Sequence, residues 1–96
     1  MSVLDRFNLT GRRVLVTGGS RGLGLEIARA LGEAGAHVII AGSNAEHLHK
    51  ACEELCSEDL HVTSIQADLS KPEEAESLCD VLLRDHAPID ILINNV

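Results

Sequence analysis

The residues best suited to chemistry in this chain are Thr17-Gly18-Gly19-Ser20-Arg21-Gly22-Leu23-Gly24, which follow the apolar run Val14, Leu15, Val16. A strand that runs into glycines and then into a helix is built to hold a phosphate. Glycine has no Cβ, so the chain turns with positive φ and lies close to a ligand. Gly18 suits the tight exit from the strand, Gly22 the approach of backbone to a pyrophosphate, and Gly24 the close seating of the new helix on the sheet. Free N–H groups and the dipole at a helix N-terminus favour an anion. Ser20 adds a hydroxyl there and Arg21 a positive charge. The spacing is Gly-x-x-x-Gly-x-Gly, not the Gly-x-Gly-x-x-Gly of many dinucleotide-binding folds. The strand before and the helix after distinguish it from a plain glycine-rich turn.

Other reactive side chains carry less. His49, Cys52 and Cys56 lie at helical spacing, but a metal site needs a further ligand, and small thiols on a core face are the ordinary reading. Cys79 is expected in the core. Glu53, Glu54, Glu58 and Asp59 read as a solvated face. Three cysteines in such a chain are free thiols rather than a disulfide framework.

The elements that must position the glycines alternate. Strands are predicted over Arg12 to Thr17, His37 to Ala41, His61 to Ala67 and Ile89 to Asn94. Helices are predicted from Gly22 to about Ala34, from the capping box Ser43-Asn44-Ala45-Glu46 to about Ser57, and from the capping box Ser70-Lys71-Pro72-Glu73 to about Asp85. Their inward faces are read as Leu23, Ile27, Ala30, Leu31 and Ala34, then Leu48, Ala51, Cys52 and Leu55, then Ala75, Leu78, Cys79 and Leu82. Gly35 is placed to end the first helix with positive φ. Strands separated by helices pair in parallel through right-handed crossovers, and continuous apolar strands are buried on both faces. The fold class is therefore α/β, half of a doubly wound Rossmann sheet, β-α-β-α-β-α-β, in strand order 3-2-1-4. Its ligand belongs at the switch point between the first and fourth strands.

Ninety-six residues, 45% of them apolar, bound the chain to one small domain. No apolar run approaches a membrane span, and Met1 to Phe7 carry an acid where a signal peptide has its apolar stretch. A soluble cytoplasmic protein is expected. A net charge of −7 and a single aromatic, Phe7, argue against nucleic acid as partner.

With Thr17-Gly18-x-x-x-Gly22-x-Gly24, then Asp68-Leu69, then Asp90-Ile91-Leu92-Ile93-Asn94-Asn95, the chain resembles the short-chain dehydrogenase/reductase family from about Leu9 to Asn95. Its opening, Leu9 to Gly18, is similar to gluconate 5-dehydrogenases and 3-oxoacyl-carrier-protein reductases. The resemblance implies NAD(P)-dependent hydride transfer between an alcohol and a carbonyl. By position it places Thr17, Gly18, Ser20, Arg21, Gly22, Leu23 and Gly24 along the pyrophosphate and ribose, Asp68 and Leu69 at the adenine, and Asn95 at a cofactor ribose, with Asn94 bracing the fourth strand. Family members that use NAD usually carry an acid at the end of the second strand, where this chain has Gly42. Many that use NADP carry arginine at the next position, where this chain has Ser43. Ser43, Asn44 and Arg21 can hydrogen-bond a 2′-phosphate and no carboxylate repels it, so NADP(H) is favoured over NAD(H).

The resemblance also breaks. The family follows the paired asparagines with Ala-Gly, whereas Val96 stands here. Its catalytic serine and Tyr-x-x-x-Lys lie further on, and this sequence contains no tyrosine. Residues 1–96 are thus read as a truncated NAD(P)-binding Rossmann domain, the cofactor-binding half of such an oxidoreductase. The alternative is a non-catalytic nucleotide-binding or interaction protein derived from the family. In either case the fourth strand is expected to expose an unpaired apolar edge, leaving the chain marginally stable or self-associating.

Overall fold

A computed structural model describes residues 8–86 and 88–95. The readings of Met1 to Phe7 and of Val96 fall outside those residues. The elements run β1 (Arg13–Thr17), α1 (Gly22–Glu33), β2 (His37–Gly42), α2 (Ala45–Ser57), β3 (Val62–Gln66), α3 (Pro72–Asp85) and β4 (Ile91–Asn94). The four strands form one parallel sheet in the order β3-β2-β1-β4. β4 begins two residues later than the apolar run suggests. Asp90 is used at its entry: its carboxylate accepts from the Arg13 N–H at 2.9 Å and pairs with Arg12 at 3.5 Å.

Parallel strands need crossovers, and right-handed ones put consecutive helices on one face until the strand order reverses. α1 and α2 accordingly cover one face. They pack over Val14, Val16, Val38 and Ile40 with Ala28, Leu48, Ala51 and Leu55. The chain then passes from the outer strand β3 to β4 through α3, which covers the other face and buries Leu15, Ile39 and Ala41 under Leu78 and Leu82. Successive strand residues point to opposite faces, so β1 and β2 are apolar without a break over residues 14–16 and 38–41.

The inward face of α1 differs from its predicted one. Gly24, Ala28 and Gly32 form the buried stripe, while Leu23 is 70% exposed and Ala30 is exposed. Ile27, Leu31 and Ala34 are half-buried. Large apolar residues suggested the stripe, but a helix seated this close to the sheet needs its smallest residues at the contact. A Cβ on Gly32 would already come within 3.2 Å of Leu60 Cδ1. Cys79 is exposed on α3 rather than buried, and Ala75 is half-buried. Gly35 closes α1 with φ of 102°.

Neither capping box forms as predicted. Asn44, not Ser43, caps α2, its Oδ1 accepting from the His47 N–H at 2.9 Å. Asn44 is the better placed oxygen because the helix begins one residue later than a Ser43 cap requires. α3 has no side-chain cap; Lys71 stands at the cap position and Pro72 fills the first turn. Ser70 instead turns back, its hydroxyl donating to Asp68 Oδ1 at 2.6 Å, and Glu74 accepts the Asp68 N–H at 2.9 Å. Across the helices, Arg29 on α1 bonds Glu26, Glu54 and Glu58 and so ties α1 to α2.

Three histidines meet at the opposite end of the sheet from the glycine loop. His37 and His61 stack with ring centroids 3.8 Å apart and 1° between planes, and His86 approaches His37 edge-on at 5.9 Å. His37 Nε2 lies 2.9 Å from Thr63 Oγ1. Partial burial first, and then the neighbouring charges of His61, His86 and Arg13, hold the His37 imidazole below its ordinary value of 6.5. The folded chain therefore binds this proton less readily than the unfolded chain does. Its contribution to stability is complete above 6.5 and is lost as pH falls from there through the lower folded value. Urea midpoints between pH 7.5 and 5 are expected to fall, and His37→Gln to flatten that slope. Equal slopes for both proteins would contradict the assignment.

Candidate functional site

Parallel pairing brings the C-terminal ends of all four strands to one edge. Thr17 lies level with Ala41 and Asn94, and Gly42 with Gln66. The loops that leave those ends make the site. Gly18 exits β1 with φ of 68°, its N–H donating to the Ala41 carbonyl at 2.9 Å. The Thr17 hydroxyl donates to Asn94 Oδ1 at 2.8 Å and accepts from the Asn95 N–H at 3.2 Å. Asn95 Nδ2 in turn donates to the Gly18 carbonyl at 3.3 Å. The end of β4 is thereby laced to the glycine turn, and Asn94 braces the strand as its position suggested.

The turn leaves no room for side chains on its inner side. A Cβ on Gly24 would fall 2.0 Å from the Gly18 carbonyl oxygen and 2.7 Å from Asn95 Nδ2. One on Gly18 would fall 2.3 Å from the Asn95 carbonyl. Gly22 is different: its φ is 62° but nothing lies within 4 Å of where its Cβ would be. The outer side of the loop is therefore open, above the first turn of α1. That turn has no side-chain cap and no acidic residue, so its N–H groups and dipole face outward uncompensated.

Two adjoining cavities lie beside this turn. One, of about 290 Å³, is lined by Gly18, Ser20, Arg21, Gly42, Ser43, Asn44, His47 and Asn95. The other, of about 250 Å³, runs over the edge between β1, β2 and β4 and is lined by residues that include Thr17, Gly18, Ser43, Asp68, Leu69, Asn94 and Asn95. Nine of the twelve residues singled out in the sequence line one of these cavities. The other three, Gly22, Leu23 and Gly24, lie in the first turn of α1: Gly22 and Leu23 are exposed, and Gly24 is buried against Gly18. A larger groove of about 580 Å³ between α1 and α2 shares Ser20, Arg21 and His47 with the first cavity.

The Asp68 carboxyl is held below its ordinary value, first by the Ser70 hydroxyl and then by the Ser70 N–H and nearby Lys71. It therefore stays an acceptor at neutral pH. Cys52 lies 3.9 Å from Cys56, Sγ to Sγ, and burial followed by that neighbour pushes its thiol up, so it stays protonated. Among the described residues no group of three or more His, Cys, Asp or Glu is arranged to hold a metal ion, and no helix is long and apolar enough to cross a membrane.

Sequence reasoning missed Gly19 and His47. A Cβ on Gly19 would meet Ile40 Cγ2 at 2.7 Å, a contact between loop and sheet that spacing along the chain does not reveal. No spacing pairs His47 with another ligand or catalytic residue; its place three residues after the Asn44 cap is the signal that could have found it.

The family described as short chain dehydrogenase matches residues 12–96, which take in the whole sheet and the glycine turn. The chain belongs to the short chain dehydrogenase family. Gluconate 5-dehydrogenase of Gluconobacter oxydans is 42% identical to it over 95 residues, covering 99% of this chain and 37% of the relative. Among solved structures, the Pseudomonas aeruginosa RhlG/NADP active-site complex superposes with a TM-score of 0.86 at 45% identity, over 93% of this chain and 36% of that one. The 3-oxoacyl (acyl-carrier-protein) reductase of Agrobacterium tumefaciens C58 with NADP bound superposes with a TM-score of 0.87 at 34% identity, over 100% of this chain and 37% of that one. The chain thus spans little more than a third of the length of these short chain dehydrogenase relatives.

Proposed function

We propose that this chain is the cofactor-binding half of an NAD(P)-dependent oxidoreductase acting between an alcohol and a carbonyl, and that it prefers NADP(H). The observation that carries the reading is the turn in which Gly18 and Gly24 meet at backbone contact distance beneath an open, acid-free helix N-terminus. The solved relatives that hold NADP support it.

In this reading the N–H groups of the first turn of α1, with Ser20, hold the pyrophosphate. Arg21, Ser43 and Asn44 take the ribose 2′-phosphate, Asp68 and Leu69 the adenine, and Asn95 a ribose hydroxyl. The end of β2 offers Gly42 and Ser43, with no carboxylate to bind a 2′-hydroxyl or repel a phosphate. When bound, the dinucleotide supplies or accepts the hydride. This chain's own residues bind and orient it. The proton donor of the family, a tyrosine, is not among these 96 residues. Association through the outer edge of β4, where Leu92 is 61% exposed, belongs to the same reading.

Titrating the chain with NADPH and NADH, followed by nicotinamide fluorescence, tests it. NADPH is expected to bind more tightly by roughly tenfold or more, the worth of one charge-assisted contact to phosphate. Tighter NADH overturns the preference; failure to bind either overturns the reading as a whole.

A further inference from the structure

The cavity at the end of β2 is rimmed by the side chains of Ser20, Arg21, Ser43, Asn44 and His47, and none of these is a carboxylate. A phosphate monoester brings ~1.5 to 2 negative charges at neutral pH. Arg21 supplies one positive charge and makes no ion pair among the described residues. Ser43 stands where many family members that use NADP have arginine, and it brings a hydroxyl but no charge. An N–H donor in place of that arginine is available elsewhere on the rim.

His47 is placed to supply it. It lies in the first turn of α2, a helix of 13 residues, and its N–H is fixed at 2.9 Å on the Asn44 cap. Side chains of a helix lean toward its N-terminus, which here is the Ser43–Asn44 mouth of the cavity. Its neighbours Ala45 and Glu46 are exposed, whereas His47 is half-buried and lines the cavity. The dipole of α2 adds to the attraction for an anion at the same place.

We propose that His47 is a cofactor-discriminating residue whose imidazole N–H donates to the ribose 2′-phosphate and takes the place of the arginine missing at Ser43. This rests on the NADP(H) reading above. The test measures binding of NADPH, NADH and 2′,5′-ADP to the full chain by calorimetry at pH 6.5. The proteins are wild type, His47→Ala, His47→Arg and Lys50→Ala, each checked for fold by far-ultraviolet circular dichroism. Lys50 lines the larger groove but not this cavity.

His47→Ala is expected to weaken NADPH and 2′,5′-ADP by roughly tenfold and NADH by less than about twofold. His47→Arg should restore NADPH, and Lys50→Ala should change neither dinucleotide. The proposal falls if His47→Ala leaves NADPH unchanged, if it weakens both dinucleotides equally, or if Lys50→Ala does what His47→Ala does. If wild type binds NADPH more tightly than NADH while His47→Ala has no effect, only the role of His47 is lost. If wild type binds neither, the cofactor reading falls with it.

Discussion

Gly24→Ala is expected to cost the chain its dinucleotide affinity and about 1–3 kcal/mol of stability or more, the range for forcing an extra carbon into a packed site. The new Cβ would lie 2.0 Å from the Gly18 carbonyl oxygen, far inside van der Waals contact. That carbonyl cannot swing away cheaply. It accepts from Asn95 Nδ2, and the Gly18 N–H is tied to Ala41 in β2. Relief must come from lifting α1 off the sheet, which moves the helix N-terminus away from the phosphate position. NADPH dissociation constants should rise by more than about tenfold, and the urea midpoint should fall. Gly22→Ala supplies the contrast. Its Cβ enters open space, so only the left-handed backbone is penalised, by about 1–2 kcal/mol. Retention of NADPH affinity within about twofold in Gly24→Ala would show that the turn is not the site.

Ile40→Ala should be the most destabilising truncation in the sheet. Ile40 is fully buried in the central strand β2, on the face covered by α1 and α2. It also supports the loop, because its Cγ2 lies within 2.7 Å of where a Gly19 Cβ would be. Removing a buried isoleucine side chain to Cβ costs about 2–5 kcal/mol. A domain of this size has roughly 5–14 kcal/mol in all, so a large part of its stability would go. Leu92→Ala on β4 removes as many carbons from a side chain that is 61% exposed, and should shift stability by less than about 1 kcal/mol. Equal urea midpoints for the two variants would contradict the assignment of the core.

The order of elements and the sheet topology were legible because the apolar runs Val14 to Val16, Val38 to Ala41 and Ile91 to Ile93 are unmistakable, and crossover handedness leaves few arrangements. The positions proposed for the cofactor were named by family motifs in chain order, and most of them line the two cavities beside the glycine turn. The inner face of α1 was not: Gly24, Ala28 and Gly32 carry almost no hydrophobic signal, and their role is defined by what lies opposite them. The capping oxygens were misassigned for a related reason. Whether Ser43 or Asn44 caps α2 turns on a single residue of helix register, and Ser70 found a better acceptor in Asp68 than in its own helix.

The sequence by itself determined that a glycine turn joins a buried strand to a helix, that it belongs at the C-terminal edge of a 3-2-1-4 sheet, and that no acid stands at the end of β2. Those properties depend on residue type and local order, which the chain carries explicitly. Only the tertiary structure decided which side of the turn is closed and which is open, that Asn95 laces β4 to Gly18, and that His47 shares a cavity with Arg21 and Ser43. Those depend on distances between residues far apart in the chain, set by how closely α1 and the β2–α2 loop settle on the sheet.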